Sequence, residues 1–119
     1  MKEQIKALKA LADPTRLRIA RLLLCEEMLC SCQITAALKM KQPSVSKALK
    51  VLKEAGIIRD ERRAQWIYFG LDMSADNTGV MILKQLEKTI KSGPDAAKDR
   101  KNLACCLKTI CPGGDSWKK

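Results

Sequence analysis

The fold of this chain is decided by residues 42–56, which read QPSVSKALKVLKEAG. Val45, Leu49 and Leu52 recur at helical spacing, so they predict a helix with one buried face that ends at Gly56. The outward positions and the N-terminal end of this helix carry polar or basic side chains, namely Gln42, Ser44, Ser46, Lys47 and Lys50. Such side chains suit phosphate oxygens and base edges, and a helix N-terminus also attracts phosphate. By itself the stretch fits either a helix that reads DNA or a structural helix with a solvated basic face, and the basic hairpin that is predicted to follow it favours DNA reading.

The sequence before this stretch predicts the rest of a helix-turn-helix. Asp13 and Pro14 form a strong start signal for a helix, and Lys39-Met40-Lys41 turns the chain just before the reading helix. Three arginines of that earlier helix are expected to face outward: Arg16, Arg18 and Arg21. The predicted helices cover about residues 5–12, 14–24, 31–38, 42–55, 78–91 and 95–110.

A basic hairpin is predicted to follow the reading helix. Residues 57–61 and 65–71 are expected to form its two strands, because Trp-Ile-Tyr-Phe at 66–69 favours strand structure. The charged tip between the strands carries Arg62 and Arg63, which we expect to be further DNA contacts. Helix, turn, helix and basic hairpin together make a winged helix-turn-helix, a mainly α fold with a small β-hairpin.

Length and charge agree with a small DNA-binding protein. A chain of 119 residues suggests one domain, which we expect over residues 1–111 with terminal helices that form a homodimer, followed by a flexible tail at 112–119. A formal net charge of +10 suggests a polyanionic partner, with nucleic acid ahead of a membrane surface. Two reading helices in a dimer predict a site in double-stranded DNA that is an imperfect inverted repeat.

The composition also excludes several classes of protein. There is no apolar run of about 18 residues, so we expect no transmembrane helix and no membrane partner. The first residues lack the apolar region of a signal peptide, so we expect a cytoplasmic protein whose six cysteines are reduced. Histidine is absent, which excludes histidine-based catalysis and histidine-ligated metals. No nucleophile–base pair is apparent either, so we do not expect an enzyme.

Two cysteine clusters suggest soft-ligand chemistry. Cys30 and Cys32 lie near the start of the third predicted helix, while Cys105, Cys106 and Cys111 lie near the end of the last one. Thiolates bind thiophilic ions, and a helix N-terminus favours the thiolate form. Residues i and i+2 of a regular helix lie about 200° apart. Cys30 and Cys32 are therefore expected to share an ion only if the helix start is unwound or bent, and that distortion would disturb the neighbouring reading helix.

Cys25 is the one cysteine outside these two clusters. Cys25 closes the second predicted helix, and we expect it to be buried rather than to add a ligand. The sequence leaves open whether the Cys30/Cys32 pair or the C-terminal cluster is the sensing site.

Several segments resemble the ArsR/SmtB family of metal-sensing repressors. They are LADPTRLRI at 11–19, QPSVS at 42–46 and LKVLKEAGII at 49–58. In addition, MLCSCQI at 28–34 resembles the thiol-containing metal-binding box of the arsenic and cadmium sensors in that family. The resemblance implies a homodimer that represses transcription when metal-free and leaves DNA when its inducer binds. Some members also carry arsenic sites in a C-terminal Cys-Cys-x5-Cys arrangement, similar to residues 105–111 but one residue longer.

The chain departs from the family pattern at three places. Ala48 stands where the family often has histidine, and Ala64-Gln65 stands where the wing tip often has Gly-Arg. Thr35 occupies the position of a third cysteine that arsenic sensors often carry.

The inducer is expected to be trivalent arsenic or antimony. As(III) and Sb(III) need only two or three thiolates, and a methylated trivalent arsenical needs two. Three alternatives stay open: a repressor that responds to thiol oxidation or persulfides, a repressor that responds to cadmium or lead, and a thiolate metal-binding protein without a DNA role.

Overall fold

The computed structural model describes residues 1–74 and 77–109, with side chains as far as residue 104 of the last helix. Within this part of the chain there are six helices and one three-stranded antiparallel sheet. The helices are α1 Lys2–Leu11, α2 Pro14–Cys25, α3 Ser31–Leu38, α4 Gln42–Glu54, α5 Thr78–Lys91 and α6 Pro94–Thr109. The strands are β1 Leu29–Cys30, β2 Ile58–Arg63 and β3 Trp66–Leu71. Cys111 and the predicted tail at 112–119 lie outside the described residues.

Local sequence signals set the ends of the helix-turn-helix. The carboxylate of Asp13 accepts a hydrogen bond from the backbone N–H of Arg16 at 3.0 Å, so it caps α2 as predicted. Lys39 adopts a φ of 54° in the short turn between α3 and α4. Gly56 follows α4 with a φ of 77°, a left-handed conformation that glycine adopts without a Cβ penalty. The helix-turn-helix predicted from residues 31–56 is confirmed.

The buried face of α4 anchors the reading helix to the main core. Val45, Leu49 and Leu52 are buried, as their spacing predicts. They pack with apolar residues of α2, α3 and α5, including Ile19, Leu22, Ile34, Leu38 and Leu83. Their burial leaves the opposite face of α4 free for solvent or for a partner.

The sheet differs from the predicted two-stranded hairpin in two respects. A third strand, β1, pairs antiparallel with β3, so the strand order is β1-β3-β2. The strand β2 also continues through Arg63, so Arg62 and Arg63 lie in the strand rather than at the tip. The turn is made by Ala64 and Gln65, and Ala64 has a φ of 55°. The two-residue strand β1 had no local signal, because it exists only through its pairing with β3.

The sheet separates the main core from a smaller cluster of buried side chains. In the pairing of β1 with β3, Leu29 lies opposite Phe69 and Cys30 opposite Tyr68. Successive residues of a strand point to opposite faces. Leu29 and Phe69 accordingly pack with the main core, whereas Cys30 and Tyr68 are buried in a second cluster. Met28, Cys32 and Trp66 complete that second cluster.

The arginines of α2 are not all outward as predicted. Arg21 is buried, and its guanidinium contacts Asp99 of α6 at 2.7 Å. Arg18 is half-buried and contacts the same carboxylate at 3.0 Å. The hydrogen bond to Asp99 raises the pKa of Arg18 above its ordinary value. The partner of both arginines is about eighty residues away in the sequence, so helical periodicity within α2 could not reveal their burial.

Two helices expose apolar side chains. Ile5 and Leu8 of α1 are 44% and 52% exposed, and Met81 and Leu86 of α5 are 57% and 40% exposed. These two helices pack against each other, so the exposed side chains belong to neighbouring elements. Leu103 of α6, one of the terminal helices expected to form the dimer, is instead buried in the core of its own chain. Among the described residues, none of the helices combines the length and the apolar character needed to cross a bilayer.

Candidate DNA interface and cysteine site

The outer face of α4 presents a set of polar and basic groups. All five residues of α4 that were predicted to contact DNA are exposed: Gln42, Ser44, Ser46, Lys47 and Lys50. Among the described residues, neither Lys47 nor Lys50 has an acidic partner, whereas Lys53 on the same helix binds Asp60 at 2.7 Å. The charges of Lys47 and Lys50 are therefore not neutralised within the described chain, as phosphate contacts require.

The wing also carries a predicted DNA contact whose charge has no acidic partner in the described chain. Arg62 is exposed and forms no ion pair within residues 1–74 and 77–104. Arg63 differs, because its guanidinium contacts Glu61 at 3.0 Å. Of the two arginines predicted from the sequence, Arg62 is thus the better placed to contact a phosphate.

The sulfurs of Cys30 and Cys32 converge at the start of α3. Their Sγ atoms lie 2.6 Å apart. Cys30 is not within the helix: it belongs to β1 and is the N-cap of α3, with extended backbone angles of −80° and 160°. Cys32 lies in the first turn of the helix. Of the two conditions expected from the sequence, an unwound or a bent helix start, the structure shows the first: Cys30 is extended, and the two sulfurs meet across the strand–helix junction.

Gln33 fixes this junction. Its side-chain oxygen accepts a hydrogen bond from the backbone N–H of Cys30 at 2.9 Å, and the side chain is buried. The spacing Cys-x-x-Gln is that of a capping box, in which Ser or Thr usually stands first. The Cys-x-x-Gln spacing is therefore a local sequence signal for the role of Gln33, which was not among the predicted site residues. The capping contact holds Cys30 in the extended conformation that turns its sulfur toward Cys32.

The other cysteines have different positions. Cys25 is exposed at the end of α2, so the expectation that it is buried is wrong. Cys105 and Cys106 belong to α6, and their side chains lie outside the described part of the chain. Cys111 lies outside it altogether. Within the described part, no group of three or more Cys, Asp or Glu side chains is arranged to hold a metal ion.

A polar contact that the sequence did not predict connects α3 to α4. The hydroxyl oxygen of Thr35 lies 2.7 Å from the backbone oxygen of Ser31 and 2.9 Å from Oε1 of Gln42. Gln42 is the first residue of α4, and its Nε2 donates to Oγ of Ser46 at 3.2 Å. The residue between the two cysteines is thereby linked to the N-terminal end of the reading helix.

A helix-turn-helix with an exposed cationic reading helix and a basic wing defines a DNA-binding regulator. Comparison with known proteins gives the family. Residues 13–60 match the model of the bacterial regulatory proteins of the arsR family. The transcriptional repressor SdpR of Bacillus subtilis is 39% identical over 64 residues, which are 54% of this chain and 70% of that protein. The chain belongs to the arsR family of bacterial regulatory proteins.

Individual relatives agree with this assignment. The chain is 48% identical to the arsenic resistance transcriptional regulator ArsR1 of Pseudomonas putida over 63 residues, which are 53% of this chain and 49% of that protein. It is 39% identical to the arsenical resistance operon repressor of Escherichia coli over 67 residues, which are 56% of this chain and 57% of that protein. The chain thus spans about half the length of these relatives. A further relative is a cadmium resistance regulator homolog of Staphylococcus aureus.

Solved structures support the same fold. Reduced HlyU from Vibrio cholerae superposes with a TM-score of 0.65 at 25% sequence identity, over 76% of this chain and 92% of that one. The winged helix-turn-helix DNA-binding domain Mb0332 from Mycobacterium bovis superposes with a TM-score of 0.62 at 24% identity, over 76% of this chain and 83% of that one. The winged helix-turn-helix fold predicted from the sequence is therefore confirmed.

Proposed function

We propose that this chain is a dimeric, cytoplasmic repressor of transcription that leaves its operator when As(III) or Sb(III) binds to cysteine thiolates. The observation that carries the proposal is the 2.6 Å separation of the Cys30 and Cys32 sulfurs at the start of α3. Because α3 is the first helix of the helix-turn-helix, an ion held there acts directly on the element that positions α4. The names of the arsenic resistance relatives support this choice of inducer.

The DNA-bound form is a homodimer on an imperfect inverted repeat. The exposed apolar side chains of α1 and α5, led by Leu8 and Leu86, form the surface through which two chains pair. Two α4 helices then enter successive major grooves about 34 Å apart. In each chain, Lys47, Lys50 and Arg62 contact phosphates, while polar groups at the N-terminal end of α4 reach the bases.

The inducer site begins with the thiolates of Cys30 and Cys32. These two suffice for a methylated trivalent arsenical, whereas inorganic As(III) in a pyramidal site takes a third. The candidates for that third thiolate are Cys105, Cys106 and Cys111, because α6 packs along α3 and so runs beside the helix that follows the pair. An ion bonded to both sulfurs must occupy space between them, so its binding displaces the first turn of α3 relative to β1.

The test is a titration of sodium arsenite into the protein bound to a fluorescein-labelled duplex, selected by the wild-type chain from a random library. We expect arsenite to release the wild-type protein, and the double variant Cys30→Ser with Cys32→Ser to bind DNA normally but no longer be released. Cys25→Ser is the matched control, because this thiol is exposed at the end of another helix. Normal release of the Cys30/Cys32 variant, together with loss of release in Cys105→Ser with Cys106→Ser, would move the sensing site to the C-terminal cluster.

A second candidate function is a repressor that responds to thiol oxidation. The convergence of the two sulfurs also permits a disulfide between Cys30 and Cys32, which hydrogen peroxide would form from two thiols with release of two water molecules. Release by peroxide that dithiothreitol reverses, without any effect of arsenite, would favour this alternative. Release of the DNA by Cd²⁺ or Pb²⁺, but not by arsenite, would instead show that the inducer of this repressor is cadmium or lead.

A further inference from the structure

Thr35 lies between the cysteine pair and the reading helix. It is one helical turn after Ser31, the residue that separates Cys30 from Cys32. Its Oγ1 is 2.7 Å from the backbone oxygen of Ser31 and 2.9 Å from Oε1 of Gln42. Both neighbouring oxygens are acceptors, one at the cysteine pair and the other at the start of α4.

The chemistry of a hydroxyl makes this arrangement a choice between two partners. A threonine hydroxyl has one hydrogen, so it can donate to only one of the two oxygens at a time. The shorter distance favours donation to Ser31 in the structure described here. Donation to Gln42 requires the hydroxyl to turn away from the backbone of the first turn of α3. The hydroxyl therefore has two alternative hydrogen bonds. One goes to the backbone of Ser31 beside the cysteines, and the other goes to the side chain of Gln42 at the start of α4.

We propose that Thr35 is the positioning residue that couples the cysteine pair to DNA affinity, through its hydrogen bond to Gln42. This inference rests on the function proposed above. Before the inducer binds, Thr35 donates to Ser31, and the amide of Gln42 is available to DNA. When As(III) separates the sulfurs, the first turn of α3 shifts and the carbonyl of Ser31 withdraws. The hydroxyl then donates to Gln42 and holds its side chain against α3.

Ser46 extends the effect along α4. Nε2 of Gln42 donates to Oγ of Ser46 at 3.2 Å, so the orientation of the Gln42 amide also determines whether this hydroxyl is engaged. Both residues are on the exposed N-terminal part of the reading helix. Retention of Gln42 by Thr35 thereby removes two polar groups from the DNA-facing surface. A single neutral hydrogen bond of this kind changes an equilibrium by about fivefold in each protomer.

The test compares Thr35→Val with Thr35→Ser. Valine preserves the shape of threonine but lacks the hydroxyl, whereas serine keeps the hydroxyl. For each protein, the dissociation constant of the selected duplex is measured with and without saturating sodium arsenite, and the ratio of the two values is the coupling. Arsenite affinity in the absence of DNA is measured separately from the ultraviolet absorbance of the arsenic–thiolate bonds. This second readout is needed because a purely structural role of Thr35 would change affinities without changing their ratio.

We expect Thr35→Val to bind arsenite like the wild type but to show a coupling that is smaller by about fivefold or more. Thr35→Ser should retain the wild-type coupling. By reciprocity, DNA should weaken arsenite binding less in Thr35→Val than in the wild type. Wild-type coupling in Thr35→Val overturns the proposal. If Thr35→Val melts far below the wild type, Thr35→Ala gives the same comparison with a smaller side chain.

The controls separate this inference from the function on which it rests. If arsenite releases the wild type but the valine variant is released equally well, the relay through Thr35 fails and the proposed function stands. A wild-type coupling of one overturns both. A loss of coupling in both Thr35→Val and Thr35→Ser also contradicts the proposal, because the serine hydroxyl can still make the contact.

Discussion

Nη2 of Arg21 donates a hydrogen bond of 2.7 Å to Oδ2 of Asp99, and both side chains are buried between α2 and α6. Arg18 donates to the same carboxylate, at 3.0 and 3.2 Å. One buried carboxylate of α6 thus contacts two arginines of α2, and Arg21 also contacts Asp95 at 3.2 Å. Since α6 also packs against α3, these ion pairs hold α6 in place beside the helix that carries Cys32.

Asp99→Asn should lower the free energy of unfolding substantially. The substitution keeps the shape of the side chain but removes the carboxylate charge that Arg18 and Arg21 share, and it leaves Arg21 only its contact with the exposed Asp95. Loss of one partner of a buried pair costs roughly 3–5 kcal/mol. Urea denaturation measures the change. Asp95→Asn is the control, because the side chain of Asp95 is 74% exposed and should matter much less. Equal effects of the two substitutions would contradict the buried role of Asp99.

The stability contributed by Asp95 should depend on pH. The hydrogen bond from Arg21 lowers the pKa of Asp95 below its ordinary value. A group with a lowered folded-state pKa stabilises the protein above its unfolded pKa, and that contribution is lost as the pH falls through the folded pKa. The melting temperature of the wild type should therefore exceed that of Asp95→Asn at pH 7, and the difference should shrink below about pH 4. A difference that stays constant down to pH 3 would rule out this contribution.

Lys47→Ala should weaken DNA binding on every sequence alike, without changing the melting temperature. Each phosphate contact contributes about 0.9 to the slope of log affinity against log salt, and a dimer has two copies of Lys47, so the slope should fall by about two. Arg62→Ala is expected to act in the same way. Lys84→Ala, an exposed lysine of α5, is the matched control and should leave the slope unchanged. If Lys47→Ala melts well below the wild type, Lys47 has a structural role instead.

Leu86→Glu should convert the dimer to a monomer. A charge in the centre of an apolar pairing surface is costly because it would be buried without a partner. Sedimentation velocity at micromolar concentration measures the change in mass. Ile67→Glu is the control, since Ile67 in the wing is 43% exposed and Leu86 is 40% exposed. A dimeric Leu86→Glu protein, or a wild-type monomer, would contradict pairing through α1 and α5.

The parts of the fold that could be predicted are those whose signals lie within one segment. The spacing of Val45, Leu49 and Leu52 gives the buried face of α4, and Asp13 with Pro14 gives the start of α2. The reading helix and its exposed residues follow directly from such patterns. Each of these signals requires only neighbours a few residues away, so a single sequence suffices to read it.

The parts that could not be predicted depend on partners distant in sequence. The burial of Arg21 requires Asp99, and the strand character of Leu29 and Cys30 requires Phe69 and Tyr68. The convergence of the two sulfurs follows from that strand character, because it places Cys30 outside the helix. Helical geometry alone had indicated that the pair points apart. The candidate ligands were thus readable from the sequence, but their arrangement was not.

The pairing of β1 with β3 also constrains how this site can be changed by insertion or deletion. Side chains alternate across a sheet, so a shift of one residue in β1 would exchange the faces on which Leu29 and Cys30 lie. Cys30 would then enter the main core, and a leucine would face Cys32. A substitution at position 30 can therefore change the ligand without changing the register of β1. An insertion or deletion of one residue in the segment that leads into α3 would instead remove the ligand from the site.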